Sequence, residues 1–135
     1  MEPFYFVDLE LPSNNLTVLD NLDLLFPITK RIYLLHSMIE GELRGNHAHK
    51  SLNQLIVPVK GNFKLLLDDG NERIVIDVST KDKKSIKLNK GLWRELYDFS
   101  EDCIILVLAS DNYYEEDYIR DYDSFLSWKA KSNLG

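Results

Sequence analysis

Apolar positions in this chain gather into short runs separated by charged or turn-forming residues. FYFVDLEL (4–11), ITKRIYLLHS (28–37), NQLIVPV (53–59), NFKLLLDD (62–69), RIVIDVS (73–79), KSIKLN (84–89) and CIILVLAS (103–110) are short and rich in β-formers, and each predicts a strand. In NFKLLLDD, Phe63, Leu65 and Leu67 alternate with Lys64, Leu66 and Asp68, which gives one apolar face and one mixed face. Asp69-Gly70, between two such runs, predicts a two-residue hairpin, because both turn positions need positive φ. Many short strands with turn signals between them predict an all-β sandwich or barrel. The pattern changes near the end of the chain. Tyr118, Tyr122, Phe125 and Leu126 fall at i, i+4, i+7 and i+8, which predicts a short C-terminal helix over about 115–130, packed outside the β body. On that helix Glu115, Glu116, Asp117, Asp121 and Asp123 read as a solvated acidic face. No repeat or linker interrupts the pattern, so residues 1–135 are expected to form a single domain.

Composition narrows the partners. With 44% hydrophobic and 28% charged residues, the chain reads as soluble and globular. A net charge of −6 argues against a nucleic-acid partner, since phosphate backbones need a basic footprint. It leaves room for one small anionic ligand held by a local arginine or lysine. The single cysteine, Cys103, sits in an apolar run and reads as a small buried hydrophobe. The start, MEPFYFVDLE, carries neither a basic nor a long apolar stretch, and no run approaches the ~18 apolar residues of a membrane helix. A cytoplasmic protein with no membrane partner is expected.

One stretch carries chemistry. In RGNHAHKSLNQ, His47 and His49 are two positions apart, with Arg44 before them and Gln54 after. On a strand both imidazoles point to one face, and inside a barrel that face is the cavity. Two such rings bind a metal or act as general acid and base near neutral pH. Gln54 would face away from the pair in an unbroken strand, and an intervening turn would reset that parity. The spacing of Gly41, His47, His49, Gln54 and Gly61 resembles the first motif of the cupin superfamily, whose metal-binding members place a glutamate where this chain has Gln54. The second cupin motif falls on residues 89–98, where Gly91 is kept and Arg94 stands at the position of the remaining histidine ligand. A carboxamide is a poor ligand and a guanidinium is none. The reading is therefore a cupin, a double-stranded β-helix or jelly-roll barrel, whose metal site has become acid–base machinery. No metal and no cofactor are expected.

RGNHAHK, NQL, VKGNFKLLLDDGN and GLWRELYDFSEDCIILVLASDNYYEEDYIRDYDSFL together resemble the nucleotide-sugar 3,4-ketoisomerases, the WxcM-like cupins, over roughly residues 3–127. The resemblance implies a small metal-free cupin homodimer. It implies action on a dTDP-linked 4-keto-6-deoxyglucose, moving the carbonyl from C4 to C3 and supplying a 3-keto sugar for 3-amino sugars of surface polysaccharides such as O-antigen and lipopolysaccharide. Members often carry histidine after the tryptophan, where this chain has Arg94. Under this reading His49 is the general base for the C3 proton and His47 its acid–base partner. Tyr33 is either a hydroxyl donor to the sugar oxygen or a core tyrosine. Arg44 either meets the diphosphate or forms a surface salt bridge. Arg94 lines the cavity on position alone, with Gln54 loosely assigned beside it. Trp93 either walls the pocket, stacking on thymine, or fills the core. Lys50 points away from His49, and His36 is a strand residue without chemistry. The alternatives are a related nucleotide-sugar epimerase, a non-catalytic sugar-nucleotide-binding cupin, and a metal dioxygenase that would carry iron.

Overall fold

The computed structural model describes residues 4–13, 16–20 and 28–134. The described residues form twelve strands and one α-helix: β1 (Phe4–Asp8), β2 (Glu10–Ser13), β3 (Leu16–Val18), β4 (Arg31–Leu35), β5 (Arg44–His49), β6 (Gln54–Lys60), β7 (Asn62–Asp68), β8 (Arg73–Ser79), β9 (Lys84–Leu88), β10 (Trp93–Tyr97), β11 (Ile104–Ala109), β12 (Tyr118–Ile119) and α1 (Tyr122–Leu134); the seven predicted runs supply β1, β2, β4, β6, β7, β8, β9 and β11, and the other four strands lie outside them. All pairings are antiparallel. One sheet runs β1-β9-β6-β11-β4, the other β12-β5-β10-β7-β8, and β2 pairs with β3. Two five-stranded sheets face each other as a jelly roll, so the all-β expectation holds.

The alternation in β7 explains the core. Phe63, Leu65 and Leu67 point inward and meet Ile56, Ile86, Leu88, Ile105 and Val107 of the facing sheet, with Cys103 among them. Leu66, on the other face of β7, packs with Ala48, Trp93, Ile119 and Phe125 beneath α1. Leu55, Val57 and Leu108 form a third apolar cluster with Val7, Leu9, Leu19 and Leu106.

Three expectations are adjusted. FYFVDLEL is two strands, β1 and β2, pairing with different neighbours. The β7–β8 connection is a hairpin, but its loop is residues 69–72 rather than two residues, with Asp68 opposite Arg73. Asp69 closes the loop, because its side chain accepts from the amides of Asn71 and Glu72. The helix begins at Tyr122, because Asp121 caps it: its carboxylate accepts from the Ser124 amide and hydroxyl, both at 2.9 Å. Residues Glu115–Asp117 are instead a 3-10 turn leading into β12.

α1 docks through Phe125, which is fully buried against Trp93 and Tyr122. The Tyr122 hydroxyl donates to the buried Asp68 carboxylate at 2.6 Å, and Arg73 donates to the same oxygen at 2.9 Å. Replacing Phe125 by alanine should cost about 3–5 kcal/mol in urea unfolding, whereas Ser127→Ala on the exposed side should stay within about 0.5 kcal/mol. Equal effects would contradict this docking.

Candidate active site

A cavity of about 330 Å³ opens between the sheets, lined among others by Tyr33, His47, Gln54, Arg94, Tyr118 and the arginines 31, 44 and 120. Its floor depends on an irregularity in β5. Gly45 and Asn46 have φ of 77° and 57°, and the β5–β10 register shifts opposite them, between Arg94 and Glu95. A Cβ on Gly45 would lie 3.0 Å from the Arg94 carbonyl oxygen, so the close approach of β10 requires glycine. After this bulge the alternation resumes. His47 and His49 turn to one face, and Ala48 between them is buried under α1.

Hydrogen bonds fix both imidazoles. His47 Nδ1 is 2.8 Å from the Gly45 carbonyl, which only accepts, so that nitrogen carries hydrogen. His49 Nδ1 is 3.0 Å from Asp117 Oδ2. The other Asp117 oxygen accepts from the Ser51 amide at 2.8 Å and hydroxyl at 2.7 Å. Burial alone would raise the Asp117 pKa, but the bonds from Ser51 and His49 hold it below the usual carboxylate range. Asp117 is therefore ionised and His49 donates to it. With both rings neutral the two Nε2 lone pairs face each other 3.2 Å apart, and the contact becomes a hydrogen bond only when one ring holds an extra proton. A proton arriving at either is within reach of the other. Burial first, and the Arg94 guanidinium second, push both rings from 6.5 down to about 3, so at neutral pH both are free bases. The Tyr118 ring sits against both, with centroids 4.9 and 4.4 Å away.

A second string of bonds crosses the cavity. Arg94, buried, donates through Nε and NH2 to the Leu92 carbonyl and through NH1 to Gln54 Oε1. Burial lowers its pKa to about 10, which leaves it charged at neutral pH. Gln54 in turn donates to the Tyr33 oxygen at 3.1 Å. That hydroxyl accepts from the amide, so its own hydrogen is available to a ligand. Burial raises the Tyr33 pKa despite the opposing field of Arg94, so it stays a donor. This donor set does not fit a divalent cation: a guanidinium is bonded to the carboxamide, and among the described residues no group of three or more His, Cys, Asp or Glu could hold a metal ion.

The structure thus brings His47, His49, Tyr33, Gln54 and Arg94 together. Gln54 turns inward because residues 50–53 break the strand between β5 and β6, resetting its parity. Arg44 lies at the rim, donating to Glu42 at 3.0 Å. Trp93 is not at the cavity: it packs under α1 against Tyr122 and Phe125, and its indole donates to Glu95. Odd and even positions of β10 face opposite ways, so Trp93 cannot share a face with Arg94. Lys50 and His36 are exposed. Asp117, expected on a solvated helical face, is instead the partner of His49. Tyr118, expected on that helix's apolar face, pairs with His49 across β12–β5. Arg31 and Arg120 were also not anticipated, because their placement follows from tertiary pairing and leaves no local spacing signal.

The family model described as FdtA: WxcM-like, C-terminal matches residues 4–130. A protein of Aneurinibacillus thermoaerophilus named TDP-4-oxo-6-deoxy-alpha-D-glucose-3,4-oxoisomerase is 44% identical over 117 residues, covering 85% of this chain and 81% of its own. QdtA, a sugar 3,4-ketoisomerase from Thermoanaerobacterium thermosaccharolyticum solved in complex with TDP, superposes with a TM-score of 0.87 at 28% identity, covering 98% of each chain. A 3,4-ketoisomerase from Helicobacter canadensis superposes at 0.84 with 34% identity, covering 94% of this chain and 97% of its own.

The buried imidazoles have a consequence for stability. Their pKa falls from 6.5 in the unfolded chain to about 3 in the fold, so on acidification the unfolded state takes up protons first. Their contribution is complete above about pH 6.5 and is lost as pH falls from 6.5 toward 3. The urea midpoint should drop across that window, and a His47→Gln, His49→Gln double variant should drop less steeply. A wild-type midpoint that is flat between those limits would contradict the burial of neutral rings.

Proposed function

The chain belongs to the FdtA, WxcM-like family, and we propose that it converts dTDP-4-keto-6-deoxyglucose to a dTDP-3-keto-6-deoxyhexose by acid–base catalysis through an enediol. It is an isomerase, a sugar 3,4-ketoisomerase. The observation that carries the mechanism is the pair of Nε2 atoms 3.2 Å apart, with His47 lining a cavity that also holds an available hydroxyl donor and His49 fully buried behind it. A structural neighbour solved with TDP-4-keto-6-deoxyglucose supports the ligand class.

The reaction balances without an external oxidant. His49 Nε2 takes the hydrogen of C3 as a proton, and the electron pair moves through C3–C4 onto the C4 oxygen. Tyr33 donates hydrogen to that oxygen, with Arg94 and Gln54 behind it supplying charge and alignment. The enediol then loses the proton of its C3 oxygen while C4 gains one. His47 passes protons to and from His49, whose Nδ1–H stays on Asp117 throughout. Arg44 reaches the diphosphate from the rim. Trp93, buried beneath α1, supports β10 rather than touching substrate.

The same reading makes residues 1–135 a single cupin domain, cytoplasmic and metal-free, feeding an aminotransferase that makes 3-amino sugars for O-antigen or lipopolysaccharide. Among the described residues no helix is long and apolar enough to cross a membrane. A homodimer is proposed from the edge strand β4, whose Ile32 and Leu34 are 63% and 54% exposed.

The purified chain, without added metal, should convert the 4-keto substrate to a 3-keto isomer while solvent deuterium enters the ring, read by proton NMR. Absence of both new sugar signals and deuterium uptake would overturn the proposal. His49→Asn should lower kcat by ~10²–10⁴ with the urea midpoint little changed. Near-normal kcat would exclude His49 as the base.

A further inference from the structure

The imidazole pair is reached from two sides. From within, His47 lines the cavity. From without, a line of side-chain contacts crosses the barrel wall, from Ser51 to Asp117, from Asp117 to His49 and from His49 to His47. Exposure falls along that line. Ser51 is exposed, the Asp117 side chain is 12% exposed, and His49 is fully buried. Ser51 is not among the residues lining the cavity. The line carries alignment rather than protons. The Asp117 carboxylate accepts from both neighbours, and an ionised carboxylate between two donors has no hydrogen to hand on.

Each oxygen of Asp117 has its own partner. Oδ1 accepts from the Ser51 amide at 2.8 Å and from the Ser51 hydroxyl at 2.7 Å, while Oδ2 lies 3.0 Å from His49 Nδ1. The terminal torsion of an aspartate is broad, so the bonds on Oδ1 decide where Oδ2 points. The backbone there is held without the hydroxyl. The Lys50 amide donates to the Asp117 carbonyl at 3.0 Å, and Tyr118 pairs with His49 across β12–β5. The hydroxyl therefore has the carboxylate as its task, not the strand. Among the hydrogen bonds that keep Asp117 ionised, the one from this hydroxyl counts most, ahead of the one from His49.

We infer that Ser51, on the outer side of the barrel wall, is a positioning residue of the reaction: its hydroxyl aims the Asp117 carboxylate, and through it the ring of His49, without touching the ligand. The inference rests on the reading of the chain as a ketoisomerase that uses His49 in proton transfer. The test compares Ser51→Ala and Ser51→Thr in the full chain. Ser51→Ala should lower kcat by ~5-fold or more while KM and TDP affinity stay within ~2-fold of wild type. The proton NMR resonance of His49 Nδ1–H should move upfield or broaden in the same variant. Ser51→Thr keeps the hydroxyl and should restore both readouts. In an Asp117→Asn background Ser51→Ala should cost nothing further. Should the alanine variant not fold, Ser51→Gly takes its place. A serine that only fastens two loops would lower the urea midpoint and leave kcat within ~2-fold and the resonance unmoved. That result overturns the role, as does a threonine variant no better than alanine or an additive loss in the Asp117→Asn background. A wild type that turns over no 4-keto sugar overturns the ketoisomerase reading instead, and the resonance alone then decides whether Ser51 aims the ring.

Discussion

The hydrogen bond from His49 Nδ1 to Asp117 is the contact on which the rest of the site depends. It joins residues 68 positions apart and decides where hydrogen resides on the ring. Asp117 is able to do this because it is tied down from several sides. Ser51 donates to its carboxylate twice, the Lys50 amide donates to its backbone carbonyl at 3.0 Å, and the next residue, Tyr118, pairs with His49 across β12–β5. A two-residue strand thus delivers the acid that fixes one imidazole and an aromatic ring that packs on both. Were Asp117 on a solvated helix, His49 would be free to change tautomer and its Nε2 would not be held as the acceptor.

Arg94 sets the electrical condition around that contact. A buried cation is costly unless its donors are used, and three of its bonds go to the Leu92 carbonyl and Gln54. After burial, it is the second cause that keeps the two imidazoles unprotonated at neutral pH, and it places positive charge in the cavity where the proposed enolisation would develop negative charge on oxygen. The same guanidinium opposes a divalent cation. One side chain thus makes the pocket suited to proton transfer and unsuited to metal.

The sequence made the barrel legible because its strands alternate with clear breaks, as Phe63, Leu65 and Leu67 illustrate. The histidine pair was legible for the same reason: period-two geometry puts His47 and His49 on one face wherever that strand lies. Trp93 and Asp117 were not. Whether Trp93 faced the cavity or the outside depended on which face of β10 turned inward, and Trp93 and Arg94, as neighbours, had to face oppositely. Asp117 lies in an acidic run next to a helical pattern, and nothing local reveals that its carboxylate is spent on a strand 68 residues earlier.

Nitrogen-15 NMR of the histidine-labelled protein at pH 7 tests the central claim most directly, through long-range correlations that distinguish the two nitrogens of each ring. The account predicts hydrogen on Nδ1 of both His47 and His49, with each Nε2 bare. A bare Nδ1 on either ring, above all on His49, would show that Asp117 does not hold the tautomer and would contradict the account.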